Sequence, residues 1–487
     1  PLLAGTVQGW RAELPRIAAM GFDWVYLNPF HQTGGSRSLY AVADPYRLDS
    51  RFRDSDGQDD DAQIAAFVQD ASSHGLEVMT DLVVNHTARD GILANERPDV
   101  FVRDEDGEIE SPYAVDPVDP TVRTVWGDLA ELNYHDDAAR EFLIDYWARY
   151  IAHLQGLGVR GFRCDAAYKV PAAVWSRLIA EAKSRDAGCT FAAETLGCTF
   201  DETQAVADAG FDYLFNSFAW WDFKAPWALA QYEALRTLAP SIAFPENHDT
   251  ARVAADLPDE PEFVARELKA RYALAALFST GVLMPQGYEF GYRRALHVVE
   301  TTPQDREDTG IDISEFVTSI NRLRAELPPC NVEGAQVRLS APDSPVLALL
   351  RFDNGHAGGS SYATLLVTNT GVIPEPVDAS ALLIRAGGTF GNFADMTPGL
   401  PPVTFAPGFP LTINPGEVRV FAAARGGGGN TCAAMWLGAE TPPLMREISV
   451  RNKISSMART VISDSNQAIP SPCPARRACR GAPFLIN

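Results

Sequence analysis

The feature that most restricts this chain is an alternation of two unlike periods. From Pro1 to about residue 325, short apolar runs of strand length alternate with longer stretches whose apolar residues recur every three and four positions. Phe22–Asn28 (FDWVYLN), Glu77–Val84 (EVMTDLVV), Val159–Cys164 and Thr190–Glu194 read as buried strands. Strands apolar on both faces are covered on both faces, which is the condition of a parallel sheet dressed with helices. Asp60–His74 and Ala138–Gln155 read as two of those helices. Polar, reactive residues recur at the strand C-terminal ends, which suits a closed barrel better than an open sheet.

Two stretches break the alternation. Asn85–His135 is rich in Asp, Pro and Gly, shows no clear helix and is too long for a simple loop. It reads as an insertion, over about 87–135, lying across the face where the strands end. From about residue 332 the pattern turns to short apolar runs (VRLSAP, PVLALLRF, YATLLVTNT, ALLIRA, EVRVFAAA) between Gly, Pro, Asn and Asp. They predict an all-β unit over 332–425, antiparallel and built of short strands. Residues 426–487 read as a Gly-rich linker and a disordered tail. From Asn430 onward this tail carries seven Lys or Arg against three Asp or Glu and shows no period, as a segment foreign to the fold would.

Composition excludes several classes. The formal net charge of -22 opposes binding to nucleic acid or anionic membrane, but not to a neutral polymer. No run approaches about 18 consecutive apolar residues, so no membrane span is expected. Seven cysteines, an odd number without a Cys-x-x-Cys pair, read as reduced thiols of a cytoplasmic protein.

Four segments carry candidate chemistry. Asp81-Leu-Val-Val-Asn85-His86 closes an apolar strand with polar groups. In Gly161-Phe-Arg163-Cys-Asp165 the Arg and Asp stand two apart and share one side of a strand, where the cation favours an ionised nucleophile. Phe191-Ala-Ala-Glu194 ends an apolar strand on a lone carboxyl, whose pKa a dry pocket raises as a general acid requires. Phe244-Pro-Glu246-Asn247-His248-Asp249-Thr250 offers adjacent polar groups to sugar hydroxyls. Two carboxyls flanking an anomeric carbon, one attacking and one protonating the leaving oxygen, are what retaining glycoside chemistry needs. Each segment has a plainer reading: a turn, a structural ion pair, a surface Glu, a satisfied core His.

Taken in order, these segments resemble the motifs of the α-amylase superfamily. DLVVNH resembles its third-strand motif, GFRCD the fourth, AETLG the fifth and ENHDT the seventh. Leu39–Asp44 (LYAVAD), Glu131-Leu132-Asn133 and Thr280–Gly291 agree with smaller motifs. The resemblance covers about Pro1 to Arg324 and the family's usual C-terminal β-unit. It implies a (β/α)8 TIM barrel with a short insertion after the third strand and a C-terminal antiparallel β-sandwich. It also implies an α-glucan substrate, Asp165 as nucleophile, Glu194 as acid/base and Asp249 as transition-state stabiliser. Arg163 would orient Asp165, His86 and His248 would bind the cleaved sugar, Tyr40 would stack on it and Asp44 would support the site.

The departures matter as much. After Asp165 the chain reads Ala166-Ala167-Tyr168-Lys169, without the His that helps bind calcium in many amylases, although Asn85 matches another ligand of that site. No metal and no cofactor is expected. Lys169 is free to reach an acceptor sugar or to stand as a solvated cation. Phe162–Ile179 also resembles bacterial maltosyltransferases that extend glucans from a sugar phosphate. The expected activity is cleavage of α-1,4-glucosidic bonds through a covalent glycosyl-enzyme intermediate, the sugar passing to water; the alternatives are glucan transglycosylation, a non-catalytic sugar-binding relative and a damaged gene product. Pro1–Gly21 resembles the loop and helix after a first strand, so that strand is expected to be incomplete. Trp220, Trp221, Phe223 and Trp227 form an aromatic cluster that could serve glucan binding or ordinary packing. Oligomeric state is left open.

Overall fold

The computed structural model describes residues 1–54, 59–115, 121, 123–356, 359–386, 390, 393–425 and 483–486. The linker and most of the tail anticipated from the sequence lie outside these residues.

The apolar runs form parallel strands: β1 (Trp24–Leu27), β2 (Glu77–Leu82), β3 (Gly161–Cys164), β4 (Thr190–Ala193), β5 (Tyr213–Phe215), β6 (Ser241–Ala243) and β7 (Gly281–Pro285). They are buried almost without exception, as a sheet covered on both sides demands. Consecutive strands pair in this order from β1 to β7. Between and after them run α1 (Val7–Ala19), α2 (Asp60–Ser73), α3 (Asp137–Gly156), α4 (Ala172–Arg185), α5 (Phe200–Asp208), α6 (Trp227–Leu235), α7 (Pro261–Phe278) and α8 (Ser314–Glu326).

Local chemistry sets the helix starts. Asp59 caps α2 by accepting from the amides of Asp61 and Ala62, Asp136 caps α3, and Thr199 with Glu202 closes a capping box on α5. In α4 one apolar face (Val174, Trp175, Leu178, Ile179, Ala182) is buried and Lys183 and Arg185 occupy the last turn.

The ring is completed from the far end of the chain. Pro483–Ile486 lies parallel between β7 and β1, with Phe484 beside Trp24 and Pro483 beside Val282. Among the described residues of the tail, expected to be disordered, these four are a strand, and it lies at the place where a first strand was expected to be incomplete. The physical reason is plain: β1 and β7 each present an edge of unpaired amides and carbonyls, and an apolar four-residue run can pair with both.

Side chains alternate across the ring. Trp24, Tyr26, Met79, Ala192, Tyr213, Phe215, Ile242 and Leu283 form one inner cluster, while Val25, Leu27, Val78, Phe162, Cys164 and Phe191 pack outward against the helices. The inside is tight: a Cβ at Gly161 would stand 2.6 Å from the Trp24 ring.

The insertion after β2 pairs His86–Ala88 with Leu129–Glu131, pairs Tyr113–Val115 with Arg123–Val125, and contains a five-residue helix at Ile92–Glu96 that the sequence did not suggest. Beyond α8, five strands make an antiparallel sheet in the order β8 (Gln336–Arg338), β9 (Val346–Phe352), β10 (Tyr362–Asn369), then β12 (Val418–Ala424) and β11 (Ala394–Asp395). A second pair joins Glu375–Val377 to Leu411–Ile413. One expected strand is a helix: all of ALLIRA but its last residue lies within Ala379–Arg385, where Asp378 accepts from the Ala381 amide and Ala379 and Leu382 are buried while Ile384 is exposed. No helix of the described residues is long and apolar enough to cross a membrane.

Candidate active site

The inward side of β2 and β3 is not wholly apolar. Asp81 and Arg163 are register partners on neighbouring strands, and Arg163 faces Ala192 on β4. The strand pairing continues one step past the strand ends: the Asp165 amide donates to the Leu82 carbonyl and the Glu194 amide to the Cys164 carbonyl. Both carboxyls therefore leave the same face of the ring at fixed height.

Arg163 organises them. Its guanidinium, 5% exposed, donates to Asp81 Oδ1 at 2.6 Å and to Asp165 Oδ1 at 2.7 Å, and lies 2.9 Å from Glu194 Oε2. Glu194 Oε2 also accepts the Ala166 amide at 2.8 Å. That bond requires an unusual backbone: Ala166 has φ 40°, in the left-handed region that alanine seldom adopts. The Ala166 amide and the Arg163 guanidinium thus both hold Glu194, and Arg163 also holds Asp165.

One cation cannot neutralise the group. Burial pushes Asp165 up to about 8; Arg163 opposes the rise, while Glu194, Asp81 and Asp249 add to it. The sequence-based expectation that Arg163 lowers this pKa is right about the pairwise effect and wrong about the net direction, because desolvation is larger.

A second layer surrounds Asp81. The hydroxyls of Tyr26 and Tyr40 both donate to its Oδ2, the latter at 2.8 Å. The Tyr40 hydroxyl accepts from Asn28 at 3.0 Å and meets His248 Nε2 at 2.7 Å. Its single proton is committed to Asp81, so His248 Nε2 is the donor in that contact. The Tyr40 and His248 rings stack at 5.4 Å and 7°. His248 Nε2 also lies 3.2 Å from Asp249, whose side chain is 55% exposed at the mouth. His86 is buried beside the backbone of Tyr40, and burial lowers its pKa to about 4, so its imidazole is neutral near pH 7. His86 Nε2 and His248 Nδ1 are buried without a hydrogen-bond partner among the described residues, which leaves each able to serve a ligand.

The fold thus gathers Asp165, Glu194, Asp249, Arg163, His86, His248 and Tyr40. Two further expected members have other partners. The Asp44 carboxyl accepts the Tyr46 amide at 2.9 Å within the strand Val42–Leu48. Lys169 donates to the Tyr113 carbonyl at 2.7 Å and so ties the insertion to the loop after Asp165. No group of three or more His, Cys, Asp or Glu able to hold a metal converges among the described residues, and the Lys169 ammonium already places a positive charge near Glu131.

Tyr26, Asn28 and the Ala166 amide were not singled out from sequence, whereas Asp81 opened one of the four candidate segments without being given a role. Asp81 carried a usable signal, being a carboxylate inside an apolar run that only the ring interior could accept. The amide of Ala166 carried none.

The chain is similar to several known proteins. The family model of the glucanotransferase domain of glycogen debranching enzyme matches residues 2–106. An α-1,4-glucan:maltose-1-phosphate maltosyltransferase of Burkholderia pseudomallei is 28% identical over 408 residues, covering 82% of this chain and 35% of that protein. An α-amylase of Haloarcula japonica is 26% identical over 390 residues, covering 76% of this chain and 53% of that one. The chain therefore spans between about a third and a half of the length of these relatives. The crystal structure of an α-amylase from Lactobacillus plantarum superposes with a TM-score of 0.65 at 19% identity, over 87% of this chain and 97% of that one.

Proposed function

We propose that this chain, similar to the α-amylase superfamily in sequence motifs and fold, is a retaining enzyme that cleaves α-1,4-glucosidic bonds in glucans. The observation that carries the reading is the Arg163 cluster: two carboxyls, Asp165 and Glu194, held on one guanidinium at the strand C-terminal ends. In this reading residues 1–325 are a (β/α)8 barrel with its insertion at 87–135, and residues 332–425 are a β-sandwich. The free Cys164, Cys189, Cys198 and Cys330 support a cytoplasmic setting.

Asp165 attacks the anomeric carbon while Glu194 protonates the departing oxygen, and a β-glycosyl ester forms on Asp165. Glu194, now ionised, takes a proton from the acceptor, which attacks the anomeric carbon and releases Asp165. Asp249 faces the developing oxocarbenium charge, and His86 and His248 offer ring nitrogens to the hydroxyls of the bound sugar. The pair needs one proton, placed on Glu194.

The acceptor is water in the first reading. A second reading, transfer to a sugar hydroxyl, is favoured by the local similarity to maltosyltransferases. Incubation with maltoheptaose, with and without phosphate, separates them by product mass. Shorter sugars alone indicate hydrolysis, longer and shorter together indicate transglycosylation, and a sugar phosphate indicates a phosphate-linked donor. Asp165→Asn should lose on the order of a thousandfold or more of the rate. No product from the wild type, or equal activity in the variant, sinks the reading.

A further inference from the structure

We propose that Trp220 is a stacking platform for the glucan on the acceptor side of the cleaved bond. The inference rests on the retaining glucan reading above and extends it to the residue that holds the departing or incoming chain. Trp220 follows β5, which lies between β4 and β6 in the ring. It leaves the face that carries Glu194 and Asp249, from the strand between theirs. Glu194 serves the leaving oxygen, so the sugar beyond that oxygen approaches the loops around β4 and β5.

The indole stands edge-on to Phe244 at 6.0 Å and 85°. Phe244 in turn lines one hollow with Arg163, Glu194, Asn247 and His248. Trp220 is 54% exposed, whereas its neighbours Phe218, Trp221 and Phe223 are buried. The aromatic cluster seen in the sequence therefore divides into two packing residues, Trp221 and Phe223, and two exposed rings, of which Trp220 is the more open and touches Phe244, while Trp227 is 37% exposed on α6.

The packing residues fix the turn. Trp221 Nε1 donates to the Ala225 carbonyl at 2.8 Å, the Phe218 amide donates to Asn216 Oδ1 at 3.2 Å, and Trp221 packs on Phe218, Phe223 and Phe278. Phe223 has φ 63°, a conformation that a bulky residue keeps only when its surroundings impose it. Strain and anchoring on one side and a large exposed ring on the other describe a preorganised surface. An aromatic face of this kind suits the C–H face of a glucose ring, and a rigid one loses little entropy on binding.

The test measures maltoheptaose binding by calorimetry in the full chain carrying Asp165→Asn, so that no turnover intervenes. Adding Trp220→Ala should weaken binding about tenfold. Trp220→Leu, which keeps an apolar contact with Phe244 but no flat face, should weaken it similarly, and Trp220→Tyr should recover most of it. Trp227→Ala, on α6, should bind as the parent does. Equal affinity of the Leu, Tyr and parent proteins overturns the proposal, as does an equal loss in Trp227→Ala. A parent that binds no maltoheptaose overturns the glucan reading itself, and the platform with it; a parent that binds while Trp220 proves silent overturns the platform alone.

Discussion

Arg163 carries one positive charge and touches three carboxylates, and that imbalance has a measurable consequence. Asp165 has an ordinary value of 3.8 and a folded value of about 8. Between these values the folded chain holds a proton that the unfolded chain has lost, so stability falls as pH rises through the window and levels off above about 8. Asp165→Asn removes the titration while nearly keeping the shape. The variant should melt close to the wild type near pH 4 and progressively above it as pH approaches 8; thermal melts across this range check it, and a gap that fails to widen with pH contradicts the assigned burial. At this scale the sequence was a good guide to which residues come together and a poor one to their charge balance. The Arg-x-Asp spacing correctly put Arg163 and Asp165 on one side of a strand. The net pKa direction was not legible, because burial and the charges of Glu194, Asp81 and Asp249 come from other strands.

Elements were legible where a local pattern is also the tertiary one. The apolar runs at Glu77 and Thr190 became strands close to their expected limits, and the three-and-four apolar pattern over Asp60–His74 became α2. ALLIRA failed because a short apolar run has no decisive period, and the Asp378 cap settled it as helix. Pro483–Ile486 failed for another reason: its partners lie more than 450 positions earlier, at Trp24–Tyr26, and about 200 earlier, at Val282–Pro285. Nothing local to the four residues reveals such pairing. A chain shortened to end at residue 482 would leave β1 and β7 as open edges, losing pairing at three positions on one side and four on the other. At about 1 kcal/mol per hydrogen bond the loss should be on the order of 5 kcal/mol. Urea denaturation and size-exclusion chromatography would show a lower midpoint and self-association through the exposed edges. An unchanged midpoint would mean that the terminal strand contributes no stability.

Across the whole molecule, the candidate carboxylates and the supporting C-terminal unit occupy opposite ends of the strands. Asp165, Glu194 and Asp249 follow the C-terminal ends of β3, β4 and β6, whereas the C-terminal unit grips the N-terminal ends of β6 and β7. Glu333 does much of that gripping: one carboxylate oxygen accepts from the Ser241 amide at 2.7 Å, the Thr280 amide at 3.2 Å and both side-chain hydroxyls. Arg351 of β9 donates to the Leu277 carbonyl at 2.8 Å, and Tyr232 donates to the Gly334 carbonyl at 2.7 Å. Removing the Glu333 carboxylate strands partly buried donors, each worth about 1–3 kcal/mol when unpaired, and water reaches some of them at this half-open position. Glu333→Ala should therefore lower stability by roughly 2–4 kcal/mol. Because the ring between Glu333 and the carboxylates is a packed core, the folded variant should keep kcat and KM on maltoheptaose. The two readouts together carry the claim: a lowered urea midpoint with kinetics intact places the C-terminal unit as a support for the ring. A fall in kcat at temperatures where the variant remains folded would instead mean that the strands transmit its position to the site.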